Sequence, residues 1–504
     1  MSSDNPVKID AVHVATLKRQ DSDFYPSNGS YRAGALTPDT PGTPFSQLSP
    51  SAMDSGFELI QPDTDYFNTG EIPNQIHSKE VMTSTNPPKN KWRIYAIYVW
   101  QITGGFSDAA PGALLPYMES TYDLNYTEVS LIWMANAIGF IFVACLSHTI
   151  QTHLGKFKSM IMGTMSSIIM YAIISSGTIF PIIAVAFFFG GCGLAIVLAQ
   201  ANVFLARLDK SSKYLSFCHG SYGIGATISP LVATVMAGSG IKWNYFYLIL
   251  LSMMIINCIT FSFAFKGSDE DLAPWDHDDD HKQIELNDLN NVSQMENQKV
   301  KDNGAFIGAL KFPITWIAAF FVLFYQGSEV SLAGWIVTFL LDYRHGTKSS
   351  GYVASGFWAG LTVGRLVIAA PMHKYFGARR SVFVISVLSI VLVSLTWAIP
   401  HVVADGVLIS LTGLFVGPVY PLMISVVSKL LPRKIQVVSL TIITAAGSSG
   451  GAFFPFIIGL LSQRTGAFIV LPGFILLYSL MIILWLCLPN YERKETKTLW
   501  QKIW

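Results

Sequence analysis

Charge is what this chain has little of. Of its 504 residues, 13% are Asp, Glu, Lys or Arg and 51% are hydrophobic, whereas soluble domains carry about 25% charged residues. So few charges cannot cover so apolar a chain in water, which excludes a soluble globule and leaves the bilayer as its solvent. The ten-residue alternating segments of a membrane β-barrel are also lacking. Long apolar runs are present instead, and in lipid such a run is a helix that satisfies its own backbone. The five cysteines, Cys145, Cys192, Cys218, Cys258 and Cys487, sit singly in apolar runs without metal or redox spacing. They read as small core side chains, and no metal or cofactor is expected. Lys and Arg number 33 against 32 Asp and Glu, and no nucleic-acid partner is expected. No secretory signal peptide is legible, so the first apolar run has to act as the insertion signal.

Residues 1–91 are polar and rich in Pro, Ser and Thr, the composition of a disordered tail. Thr37, Thr40, Thr43 and Ser49 each precede a proline, so a kinase is a candidate partner of this tail. Apolar runs then recur near 94–118, 128–150, 158–179, 181–206, 214–237, 244–265, 312–341, 350–372, 381–400, 405–430, 436–461 and 467–488. They predict an all-α membrane protein of twelve transmembrane helices. An N-terminal six-helix half (92–266) and a C-terminal six-helix half (305–490) flank an acidic linker at 267–304, and a short tail covers 491–504. The run Asp276, His277, Asp278, Asp279, Asp280 and His281 reads as solvated linker rather than as metal ligands.

Lysine and arginine set the expected topology. Lys156, Lys158, Arg207, Lys210, Lys213, Lys374, Arg379, Arg380, Lys429, Arg433 and Lys434 fall in one set of loops, and only Lys242, Arg344, Lys348 and Arg464 in the alternate set. The first set is expected in the cytosol, with both termini and the acidic linker. The sequon at Asn125 then lies in the first outer loop, a candidate glycosylation site, whereas those at Asn28 and Asn291 stay inside.

The halves overlay at an offset of about 222–225 residues. Asp108 and Gly112 match Glu329 and Gly334, the turn Leu154-Gly155-Lys156 matches Phe376-Gly377-Ala378-Arg379, and Gly225-x4-Pro230 matches Gly450-x4-Pro455. Two duplicated halves joined by a linker suit a transporter that rocks about a central site.

An ionised residue at a helix centre costs about 2.5–3.5 kcal/mol on insertion scales, so such a residue marks a cavity or a partner. Asp108 lies about fifteen residues, or about 22 Å of helix, beyond Arg93. Gln101, Gly104, Gly105, Asp108 and Gly112 share one helix face, which suits a cavity wall, and Pro111 and Pro116 allow a kink beside it. Glu329, with Gln326 one turn before it, is the counterpart of Asp108 in span seven. A buried carboxylate can carry a proton, so both acids are candidate coupling groups. Arg365 in span eight is a candidate ion-pair or substrate residue, or else a gate or snorkelling arginine. His219 in span five, Asn136 in span two, and Gln200 and Asn202 in span four complete the candidates, each readable also as a helix-to-helix contact. Trp133, Trp335 and Trp358 read either as stacking surfaces or as interface anchors.

Several of these segments carry a resemblance: GGFSDAAPGALLPYM in span one, HGSYGIGATISPL in span five, GSEVSLAGWIVTFL in span seven, GFWAGLTVGRL in span eight and GLFVGPVYPL in span ten. Over roughly residues 92–490 the chain resembles the major facilitator superfamily, and within it the fucose:proton symporter-related branch, especially its fungal members. The resemblance implies alternating access about a site between the halves, and it puts Asp108 at the carboxylate used in proton-coupled sugar uptake. The branch's span-four carboxylate does not carry over, since Leu198 stands there. The acid of the superfamily's usual loop motif is also replaced, by Thr152 and Lys374 in the two halves, so gating contacts at the cytosolic face are expected to differ.

The reading is a secondary transporter, not an enzyme, moving a small polar organic solute such as a sugar, with protons as the coupling ion. It is expected in the plasma or vacuolar membrane. A facilitator or exporter of amphiphiles, drugs or lipids, and a non-transporting nutrient sensor that signals through its tail, are the alternatives.

Overall fold

The structure is a computed structural model that describes residues 82–273, 306–432 and 435–490. The tail threonines, the Asp276–His281 run, Arg433, Lys434 and residues 491–504 lie outside the described residues.

Helices supply every span. The first half holds α1 (Asn90–Tyr122), α2 (Tyr126–Leu146), α3 (His153–Ser175), α4 (Phe180–Ala206), α5 (Ser211–Gly238) and α6 (Phe246–Phe265). The second holds α7 (Pro313–Arg344), α8 (Lys348–Phe376), α9 (Ala378–Ala398), α10 (Val402–Leu430), α11 (Gln436–Thr465) and α12 (Val470–Cys487). Ten of these are both long and apolar enough to cross a membrane. The other two, α1 with 33 residues and α5 with 28, match them in length but are more polar. These two helices share the hydrogen bond at Asp108 described below, so their polarity belongs to the interior of the bundle. The chain turns at Gly155, in the first residues of α3, whose φ of 71° only glycine adopts without strain. Pro111 and Pro116 both lie inside α1, which runs on to Tyr122.

The repeat is visible in the packing. α1 lies along α5 as α7 lies along α11, and α4 packs on the α2–α3 hairpin as α10 packs on α8. Glycine contacts fix the register: Gly225 sits against the carbonyl of Ile102 and Gly450 against that of Leu323, while Gly191 meets the carbonyl of Asn136 and Gly417 that of Leu361. A side chain at any of these glycines would strike backbone, so the helices approach as closely as a missing Cβ allows. The halves meet where α5 touches α8, where α2 touches α11, and where α1 crosses α7.

At the bundle end that carries the α1–α2 and α7–α8 connections, contacts from both halves close over the interior. The Tyr126 hydroxyl donates to Asp342 Oδ2 at 2.6 Å, and the Tyr126 amide donates to Gln463 Oε1 at 3.1 Å. Below them Trp133 lies 5.7 Å from Trp335, ring to ring. At the opposite end a helical turn, Ser268–Asp271, follows α6. Its Asp271 takes a 2.7 Å ion pair from the fully buried Arg93 at the start of α1. Its Asp269 Oδ1 accepts from the Lys156 amide at 2.5 Å, beside the Gly155 turn. An acid from beyond α6 thus reaches the α2–α3 turn, whose own sequence lacks one.

Candidate functional site

Asp108 and Glu329 face one another's halves at the middle of the bundle. Gly112 of α1 packs on Ala333 of α7, and counting back four residues on each helix gives Asp108 and Glu329. Ile102 and Leu323 share the same spacing, so structural equivalence between α1 and α7 runs at 221 residues, one less than the glycine match read from sequence.

Equivalent positions have acquired unequal partners. Glu329 is buried, and Arg365 Nη2 of α8 lies 3.2 Å from its Oε1 and 3.1 Å from its Oε2. The same Nη2 reaches the Tyr325 hydroxyl at 3.3 Å, and Tyr325 stands one turn before Glu329 on α7. Asp108 is exposed to the interior space between the halves, and no cation among the described residues pairs with it; the Tyr222 hydroxyl of α5 donates to its Oδ2 at 3.0 Å. Tyr222 in turn sets its ring edge-on to Trp358 of α8, 6.3 Å between centroids. Asp108, Trp133, Val330, Gly334 and Trp358 border one small cavity at the α1–α7 crossing.

The remaining candidates scatter. Among the residues expected to form one polar wall of α1, only Asp108 meets open space. Gln101 is buried, and Gly105 and Gly112 are pressed on the backbones of α5 and α7. Small residues there serve close helix approach, which has the same sequence signature as a cavity wall. Gln326 lies against Gly447 and Gly451 of α11. Gln200 borders a separate peripheral cleft with Met82, Lys156 and Arg207, while Asn202 Oδ1 is buried without a partner. Asn136 is half-buried on α2. His219 is exposed, one turn of α5 from Tyr222. Asn125 is exposed and caps α2: its side chain accepts from the Glu128 amide at 2.9 Å, and Glu128 Oε2 accepts from the Asn125 amide at 3.0 Å. Among the described residues no three His, Cys, Asp or Glu side chains gather as metal ligands.

Sequence reasoning missed Tyr222 and Tyr325. Tyr325 had a signal, its i, i+4 relation to Glu329. Tyr222 had none linking it to Asp108, because only the packing of α5 on α1 brings the two together.

A twelve-helix bundle in two related halves, with a polar cavity at their interface, is the architecture of a secondary transporter. The chain belongs to the Major Facilitator Superfamily, whose family model matches residues 97–455 and 348–503. It is similar to Bypass of stop codon protein 6 of Saccharomyces cerevisiae, 24% identical over 75% of this chain and 78% of that one. It is also similar to the glucose/mannose transporter GlcP of Bacillus subtilis, 21% identical over 72% and 86%. The glucose/galactose transporter of Brucella abortus is 22% identical over 72% and 85%. In fold it resembles the transporter FucP in its outward conformation, with a TM-score of 0.51, 14% identity, and coverage of 78% of this chain and 97% of that one. The protein is thus an integral multi-pass membrane transporter rather than an enzyme, and its partners are a small-molecule solute and the lipid bilayer.

Proposed function

We propose that the protein is a proton-coupled transporter of a small polar solute, a sugar in the first instance, with Asp108 as the coupling carboxylate. The observation that carries this reading is the contrast between the two acids. Glu329 has its charge answered by Arg365, which suits a structural or gating pair. Asp108 opens onto the cavity with only a neutral hydroxyl beside it, so a proton is the simplest way to neutralise it in a low-dielectric site. Sugars are named in the relatives from Bacillus and Brucella, which supports that solute class here. The lysine and arginine bias supports cytosolic termini, the membrane is read as plasma or vacuolar, and the end closed by Tyr126 and Asp342 is then the outer one.

Reconstitution tests the coupling. Proteoliposomes with an imposed pH gradient should accumulate labelled hexose, and Asp108→Asn should abolish accumulation while leaving exchange of solute across the membrane. Uptake that ignores the gradient, or that is the same in Asp108→Asn, rejects the proposal. A second reading, a carrier of amphiphiles, draws on Trp133, Val330 and Trp358 in the cavity wall. It requires competition by hydrophobic compounds and none by hexoses.

A further inference from the structure

We infer that two N–H donors on α8, the indole Nε1 of Trp358 and the guanidinium Nε of Arg365, hold oxygens of the solute, which on the reading above is a hexose or hexitol. This rests on the reading that the cavity beside Asp108 is the transport site.

Both donors are buried and neither meets an acceptor among the described residues. Buried N–H groups are nearly always bonded, so each orphan asks for a partner. Trp358 is 3% exposed and borders the cavity that holds Asp108. Arg365 follows seven residues later, two turns on along the same face of α8. It sits in a π-helical stretch, Gly364–Ile368, inserted between α-helical segments. Such a bulge re-aims side chains and is frequent at functional sites. The protein uses Nη2 of Arg365, on Glu329 and Tyr325, and leaves Nε unanswered.

The contacts of Asn136 with Gly191 and of Leu361 with Gly417 relate α2 to α8 by 225 residues, so Trp133 is the counterpart of Trp358 and Phe140 that of Arg365. Both tryptophans border the cavity, but only α8 carries the second donor. Trp358 thus sets a donor and Asp108 an acceptor carboxylate on the cavity, with the Arg365 donor two turns further along α8. A solute with oxygens toward α8 and a hydroxyl toward Asp108 satisfies all three. An ammonium ion has no acceptor for either donor. An anion finds the charge of Arg365 already taken by Glu329. A sugar hydroxyl both accepts and donates, and its ring can lie against an indole.

Purified protein in detergent, monitored by thermal shift, tests the assignment. The probes are D-glucose, D-galactose, D-mannose, sorbitol, the monodeoxy forms of whichever hexose stabilises, and tetramethylammonium. At least one hexose or hexitol is expected to stabilise the wild type. Deoxygenation at one ring position should weaken it about fivefold in the wild type, the loss of one neutral hydrogen bond, and leave Trp358→Phe unaffected. A second position should behave likewise against Arg365→Lys. A deoxy penalty that is the same in wild type and Trp358→Phe overturns the Trp358 assignment while the transport reading stands. If Trp358→Phe does not fold, the wild-type scan decides: two sensitive positions are expected, and a flat scan overturns the donor pair. Stabilisation by tetramethylammonium and by no hexose or hexitol overturns the solute class and the sugar reading together.

Discussion

Arg365 Nη2 lies 3.1 Å from Glu329 Oε2, so the carboxylate of α7 is neutralised from α8 while its structural equivalent on α1 pairs with no cation among the described residues. Breaking a buried pair strands a charge and costs about 3–5 kcal/mol. Glu329→Gln and Arg365→Gln should each lower stability by about that much. The double variant should lose much less than the sum, a coupling readable by thermal denaturation in detergent. Additive losses would mean that the two groups do not act as a pair.

Tyr222→Phe removes the hydroxyl donor to Asp108 and keeps the ring against Trp358. The expected result is a small change in melting temperature, since a net hydrogen bond contributes about 1 kcal/mol. Gradient-driven hexose uptake should fall by about tenfold, because the hydroxyl orients the coupling carboxylate. Proteoliposome uptake at fixed gradient reads it.

Tyr126 and Asp342 join the halves across the end that carries the α1–α2 connection. A hydrogen bond to a charged group contributes about 1.5–3 kcal/mol, so Tyr126→Phe should raise the population open at that end by about tenfold. In a chain with its five native cysteines replaced, the labelling rate of Val330→Cys by an impermeant maleimide should rise to match. An unchanged rate would remove Tyr126 from the latch.

Gly225 and Gly450 hold equivalent places against α1 and α7. Alanine at either would push on a carbonyl, and overpacking of this kind costs about 1–3 kcal/mol. Gly225→Ala and Gly450→Ala should lower the melting temperature by similar amounts, since both test one contact made twice.

Much of this was legible before folding. Scarce charge and apolar runs of about twenty residues determine helices in lipid, because an unbonded backbone is intolerable there. Spacing showed the duplication, and two acids inside spans flagged the interior, since only a cavity or a partner makes them tolerable. The partners themselves were not legible. Arg365 finds Glu329, and Tyr222 finds Asp108, only when α8 and α5 pack beside α7 and α1, and no periodicity along a single helix encodes its neighbour. A face of small residues such as Gly105 and Gly112 reads the same whether it lines a cavity or admits another helix, and the packing chose the second. The sequence by itself determined a duplicated helical membrane transporter with one acid per half. Tertiary structure alone decided that one acid is neutralised and the other left open, because that difference lies in which charges stand within a few ångströms across helices.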